Sequence, residues 1–138
     1  MSNALQIFSD ARSNVLDAFA DLESATLRFL GRHLADPGCT TAPLGQKLTK
    51  IGDVKAGPQF SKKKKADLNR AAEAFQTALS VRADLVHSRQ HVVNTTEPMA
   101  LYVNASQQLC QYPIARVMTL HQHELLVEEA TQLAKLLA

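Results

Sequence analysis

The sequence predicts a mainly α-helical fold, an antiparallel bundle of about four helices with a small β-hairpin. Apolar residues recur every three or four positions over two long stretches, and one short segment between helices changes to a β-rich pattern. Size and composition agree with this class. The chain has 138 residues, of which 46% are hydrophobic and 20% charged. These values predict one globular domain over residues 1–138.

The first predicted helix covers residues 3–34. Its apolar residues, spaced mostly by three, four and seven positions, are Leu5, Phe8, Val15, Phe19, Leu22, Leu27, Phe29 and Leu30. We expect the helix to end near Asp36, because Pro37 blocks further helix and Gly38 supplies a turn. Residues 37–60 are predicted to form a connector that carries a short helix from about Pro43 to Ile51.

A second long helix is predicted over residues 61–88, with Ser61 as its N-cap. Its stripe follows the 3.6-residue period and consists of Leu68, Ala72, Phe75, Leu79, Arg82 and Val86. At 100° per residue, Arg82 falls within roughly 40° of Leu68 and Val86. This geometry predicts a cation in the middle of the buried face.

The period changes after His87, and residues 90–104 are predicted to form a β-hairpin. Its strands contain two β-rich runs, around Val92 and around Tyr102. The stretch from Ser106 to Met118 has no assigned structure because Pro113 interrupts it. Thr119 and Gln122 then form a capping-box pattern that begins a terminal helix over residues 119–138.

Composition and motif content exclude several function classes. A net charge of +2 does not by itself indicate nucleic acid, and Cys39 and Cys110 are isolated thiols typical of a reducing cytoplasm. No apolar run is long enough to span a membrane, and neither a phosphate-binding loop nor a nucleophile elbow is present. His87 with His91, and His121 with His123, lack a third ligand, so we expect no metal or other cofactor.

The two residues best suited to catalysis are Arg82 and His87, which lie five residues apart at the end of the second long helix. Arginine presents a planar fork of donors that matches phosphate oxygens, and histidine is the side chain suited to proton transfer near neutrality. On one straight helix the two side chains are roughly 140° and ~7.5 Å apart. For both side chains to act on the same phosphate, a second chain must contribute one of them or the helix must break after Val86. A plainer alternative is that Arg82 pairs with a carboxylate of the first helix, Asp17 or Glu23.

The spacing of Arg82 and His87, within the string from Val81 to Arg89, resembles the Arg-x4-His motif of the HEPN families. These are small helical domains of prokaryotic toxins, RNA-cleaving defence proteins and uncharacterised bacterial proteins. The order of long helix, connector, motif helix, hairpin and final helix is also similar. The family position after the arginine is usually polar and is Ala83 here.

The resemblance implies a metal-independent endoribonuclease in which the RNA 2′-hydroxyl attacks the adjacent phosphate. Arg82 would stabilise charge on the phosphate oxygens, and His87 would move a proton. It also implies a homodimer in which two copies of the motif face each other, with an antitoxin protein as a further partner. Because of Ala83, a noncatalytic helical dimerisation or regulatory module with the same scaffold remains the alternative.

The chain contains one cationic run, Lys62, Lys63, Lys64 and Lys65, at the start of the second long helix. Positive charge in a first helical turn is disfavoured by the helix dipole, and an RNA phosphate backbone would offset that cost. We therefore interpret these lysines, together with Arg89, as substrate-binding residues. The alternative is a solvated lysine face.

Overall fold

The computed structural model describes residues 2–34, 42–104 and 114–138, and it shows a mainly helical protein with a small antiparallel sheet. The helices are α1 (Ser2–His33), α2 (Leu44–Lys50), α3 (Lys62–Phe75), α4 (Leu79–His87) and α5 (Leu120–Leu137). The strands are β1 (Arg89–Val93), β2 (Met99–Asn104) and β3 (Ile114–Thr119). The mainly helical class is confirmed. Pro37, Gly38, Cys39, Cys110 and Pro113, on which other predictions depend, lie outside the described residues.

Helix α1 has nearly the predicted bounds, and most of its apolar stripe is buried. The fully buried members are Val15, Phe19, Leu22 and Leu30. The prediction was wrong for Leu5, which is 51% exposed in the first turns. The predicted short helix is also present as α2, and a 3-10 turn over Ile51–Asp53 follows it.

The predicted N-cap of the second long helix is confirmed, because Ser61 Oγ accepts a hydrogen bond from the Lys64 backbone N–H at 3.1 Å. The helix is not regular throughout. A 3-10 turn over Gln76–Ala78 separates α3 from α4.

The predicted stripe does not hold beyond Phe75, because α4 packs against β3, where Arg116 pairs with Asp84. Leu68, Ala72 and Phe75 are buried as expected, but Arg82 is half-buried and Val86 is 47% exposed. Asp84 and Leu85 are buried in their place. The charge in the centre of the buried face is therefore the carboxylate of Asp84 rather than the guanidinium of Arg82.

The predicted hairpin is confirmed as β1 paired with β2, and β3 adds a third antiparallel strand that was not predicted. Two cross-strand rows lie on the inner face: Gln90, Tyr102 and Arg116, and then Val92, Ala100 and Met118. Ala100, Tyr102 and Met118 are buried, whereas Val117 on the opposite face is 50% exposed. The sheet thus alternates between the core and solvent.

The capping box that begins α5 is confirmed in both directions. Gln122 Oε1 accepts from the Thr119 backbone N–H at 2.8 Å, and Thr119 Oγ1 accepts from the Gln122 backbone N–H at 3.1 Å. Two donors at the helix start are satisfied reciprocally, so α5 begins directly after β3.

Internal contacts divide the chain into two compact units. The first unit comprises Met1–Phe19 and Ser80–Glu128, and it holds the sheet and α4. The second unit comprises Ala20–Leu79 and Glu129–Ala138, and it holds α2 and α3. No helix within the described ranges is long and apolar enough to cross a membrane.

Candidate functional site

Helix α4, in the first unit, carries both residues of the predicted catalytic pair. Arg82 is half-buried in the middle of α4, and His87 is exposed as its last residue. A helix break after Val86 would be needed to bring the pair together, but α4 continues through His87 and β1 begins at Arg89. The straight-helix geometry therefore holds between Arg82 and His87, with about 140° separating their directions. Within one chain, Arg82 and His87 point to different sides of α4.

The other predicted site residues lie in two places. Arg89 is exposed at the start of β1, two positions beyond His87 in the first unit. The four lysines from Lys62 to Lys65 form the first turn of α3 in the second unit, where the first three are exposed and Lys65 is half-buried.

Arg12 of α1 fixes the C-terminal end of α4, a role that the sequence pattern did not predict. Its guanidinium donates to the backbone carbonyls of Leu85 and Ser88, the second at 2.9 Å. The last carbonyls of a helix lack partners within it and carry partial negative charge, so a cation there stabilises the helix end. Arg12 also lies 5.8 Å above the Tyr102 ring. The backbone that carries His87 is thus anchored to α1.

The signal for this role was present in the sequence. Arg12 follows Phe8 by four positions and precedes Val15 by three, so it belongs to the buried stripe of α1 rather than to the polar face. A cation at such a position needs a buried acceptor, and the end of α4 supplies two.

Asp84, inside the motif, joins α4 to the sheet. Its side chain is 4% exposed, and Arg116 Nε of β3 donates to its Oδ2 atom at 2.7 Å. Arg116 Nη2 also reaches the Ser80 hydroxyl at 3.5 Å. A buried carboxylate requires such a partner. Asp84 therefore holds α4 against β3.

Beneath the sheet, Tyr102 and His123 form a buried polar network with Gln90. The Tyr102 hydroxyl lies 2.7 Å from His123 Nε2 and 3.0 Å from the Gln90 amide. His123 Nδ1 lies 2.7 Å from the backbone carbonyl of Thr119. Burial raises the pKa of Tyr102 to about 12, and the nearby Arg12 charge opposes this. Burial also lowers the pKa of His123, whereas the hydrogen bond from its ring to the Thr119 carbonyl raises it.

These contacts assign the protons of the network. The Thr119 carbonyl only accepts, so His123 carries its proton on Nδ1, and the neutral Nε2 accepts from the Tyr102 hydroxyl. The hydroxyl in turn accepts from the Gln90 amide nitrogen. The amide oxygen of Gln90 accepts from the Ser9 backbone N–H at 3.3 Å. Every group in this chain of hydrogen bonds is then satisfied. The network is closed and holds β1, β2 and the start of α5 together.

Replacing Tyr102 with phenylalanine is expected to destabilise the protein by ~1–3 kcal/mol near neutral pH, because the buried Nε2 of His123 loses its donor. In the wild type, the pKa of Tyr102 is about 12 when folded and near 10 when unfolded, so stability falls as pH rises between these values. Phenylalanine does not ionise, so the variant lacks this pH-dependent loss of stability. The stability difference should therefore narrow by about 1 kcal/mol near pH 11, as measured by urea denaturation. A difference independent of pH would contradict the raised pKa of Tyr102 in the folded protein.

Among the residues that the structure describes, no group of three or more His, Cys, Asp or Glu side chains is arranged to hold a metal ion. His87 and His91 are exposed, and His121 lies 4.0 Å from Glu124 at the surface of α5. Comparisons of the chain with protein-family models, with curated proteins and with solved structures find no match. The chemistry of the residues themselves therefore carries the functional assignment.

Proposed function

We propose that this protein is an HEPN-like, RNA-acting domain that cleaves RNA without a metal ion. The observation that carries the proposal is the exposed imidazole of His87 at an anchored helix end, with Arg82 half-buried earlier on the same helix. Cleavage of this kind needs a group that moves a proton and a cation that stabilises the phosphate oxygens. In the reaction, the RNA 2′-hydroxyl attacks the adjacent phosphorus. The 5′-oxygen leaves with a proton, and a 2′,3′-cyclic phosphate remains.

The active form we propose is a homodimer. Arg82 and His87 leave α4 in directions roughly 140° apart, so one helix does not direct both at a single phosphate. Two copies of α4 facing each other would supply Arg82 from one protomer and His87 from its partner. The anchoring of α4 by Arg12 and Asp84 supports this arrangement, because a composite site requires a rigid helix on each side.

The direct test is incubation of the purified protein with single-stranded RNA in the presence of EDTA, followed by analysis of the product ends. We expect internal cleavage with 2′,3′-cyclic phosphate and 5′-hydroxyl ends. Intact RNA, or products with 3′-hydroxyl and 5′-phosphate ends, would contradict this mechanism.

RNA binding is expected to depend on Lys62, Lys63, Lys64 and Lys65. Changing all four to glutamine should weaken binding and make the plot of log affinity against log salt shallower by about 0.7 for each phosphate that is no longer neutralised. Arg28→Gln, at an exposed position of α1, is the matched control and should leave the slope unchanged. Filter binding over a salt series measures both. An unchanged slope in the lysine variant would identify the run as a solvated face.

A noncatalytic dimerisation or regulatory module is the second candidate, and Ala83 is the observation that favours it. This residue is half-buried beside Arg82, and its methyl group offers no hydrogen bond to a phosphate or to an imidazole. The module would bind RNA or a partner protein through the same surface. It predicts RNA retention without cleavage in the EDTA experiment.

A further inference from the structure

The second unit contains an open groove of about 810 Å³ with a strongly basic rim. Four cations from separate segments line it: Arg32 of α1, Lys55 of the loop before α3, Lys64 of α3, and Lys135 of α5. Asp67 is the acidic side chain among the lining residues, and Arg70 lies 3.8 Å from its carboxylate. The rim therefore favours an anion.

The floor of the groove is apolar and aromatic. Phe29, His33 and Phe60 form a cluster whose ring centroids are 4.5 Å and 5.5 Å apart. Phe29, Phe60 and Leu68 are buried, so the accessible part of the floor consists of the half-buried His33 ring and of Leu136, which is 55% exposed. A ligand that fits both rim and floor needs a flat or apolar body as well as negative charge.

The groove is preformed rather than loosely assembled. Arg32 Nη2 donates to the Leu137 carbonyl at 2.5 Å, and its guanidinium lies 5.9 Å above the Phe29 ring. Gly57 and Phe60 exchange backbone hydrogen bonds of 2.8 Å and 3.1 Å, which fix the turn that begins two residues after Lys55. The contacts of Arg32 thus orient one cation before any ligand binds, which lowers the entropy cost of binding.

We propose that this groove holds an unpaired nucleotide of single-stranded RNA, with its base against the floor and its phosphates at the rim. The site rests on the RNA-directed function proposed above and names the form of RNA that is bound. Aromatic surfaces accept bases of any sequence, and cations contact the backbone. A base within a duplex is stacked and paired, so it does not reach the floor. Lys64 makes the groove continuous with the lysine run of α3.

The test uses a short 2′-O-methyl RNA strand, alone and annealed to its complement, with binding followed by fluorescence anisotropy. This probe has no free 2′-hydroxyl and resists the proposed cleavage, so the outcome is independent of nuclease activity. We expect the intact protein to bind the single strand at least about five times more tightly than the duplex, the lower limit for loss of one base stack worth ~1–3 kcal/mol.

Substitutions in the groove test the contributions of the rim and of the floor to binding separately. Lys55→Gln and Lys135→Gln should each weaken single-strand binding about fivefold near 0.1 M salt and reduce the salt slope by about 0.7. Leu136→Asp, which places a negative charge on the floor, should weaken it more than tenfold, an effect above ~1.4 kcal/mol. Lys50→Gln and Leu125→Asp are matched controls at exposed positions outside the groove, and binding should stay at the wild-type level.

Equal binding of single strand and duplex by the wild type would overturn the proposal. So would unchanged affinity and salt slope in Lys55→Gln and Lys135→Gln, even if the protein cleaves RNA. Conversely, selective single-strand binding that disappears in the groove variants supports the site even if no RNA is cleaved. The two proposals thus succeed or fail separately.

Discussion

Replacing Glu23 with alanine is expected to destabilise the protein by about 3 kcal/mol, because it leaves the ammonium of Lys47 buried without its carboxylate. Lys47 Nζ donates to Glu23 Oε1 at 2.6 Å, and the exposed fractions of the two side chains are 3% and 29%. A buried charge without its partner costs ~3–5 kcal/mol, and the partial exposure of Glu23 places the effect at the low end. Urea denaturation followed by circular dichroism measures the change.

The double variant Glu23→Ala with Lys47→Met is the control for that result. Methionine fills a similar volume without a charge, so most of the stability should return. Lys50→Met, at the exposed end of the same helix, should change stability by less than ~0.5 kcal/mol. If Glu23→Ala and the double variant are equally unstable, the packing of the Glu23 side chain rather than the buried ammonium accounts for the effect.

For the proposed RNA cleavage, replacing His87 with alanine is expected to lower the rate by ~10²–10⁴, the usual contribution of a general acid or base. The imidazole is exposed, so the stability of the fold should change little. His121→Ala removes another exposed imidazole on α5 and should cleave at the wild-type rate. Equal cleavage by the His87→Ala and wild-type proteins would exclude His87 from the chemistry.

The proposed composite site has its own readout in mixed dimers. Arg82→Gln and His87→Ala should each be inactive alone. When they are mixed and allowed to exchange protomers, half of the dimers are mixed and each retains one intact site of two. Activity should then return to about a quarter of the wild-type value. No recovery, with exchange verified, would mean that each chain uses its own pair.

Local features of the fold were predictable because their causes lie within a few residues. Ser61 caps α3, and Thr119 with Gln122 caps α5, since a short polar side chain before an apolar run satisfies the first helical donors. The hairpin followed from two β-rich runs separated by turn residues.

Features that depend on distant partners were not predictable from the same patterns. Local pattern assigns no structure to the segment that forms β3 because Pro113 interrupts it, and the inward-facing Arg116 of β3 pairs with Asp84 of α4, which is distant in sequence. The 3-10 turn at Gln76–Ala78 interrupts the predicted second long helix, and no proline or glycine marks it. Tertiary packing prevails over local pattern at both places.

The candidate site also includes residues that local sequence pattern predicts and residues that it does not. Arg82, His87 and the lysine run were predicted as site residues because they are close in sequence and their types suit phosphate chemistry. The basic groove was not found, because its four cations come from four segments between Arg32 and Lys135. Arg12 was missed for a related reason, since its acceptors are 73 and 76 positions away.

The way in which α1 and α5 each contribute to both compact units has a consequence for synthesis on the ribosome. The first unit needs residues up to Glu128, and the second needs Glu129–Ala138 although most of it is made earlier. The bond from Arg32 to the Leu137 carbonyl joins residues 105 positions apart. Neither unit is therefore complete until α5 is translated, and the part of α1 that packs against α5, such as Phe8 beside His123, stays uncovered until then. An apolar surface left open in this way favours aggregation of the nascent chain.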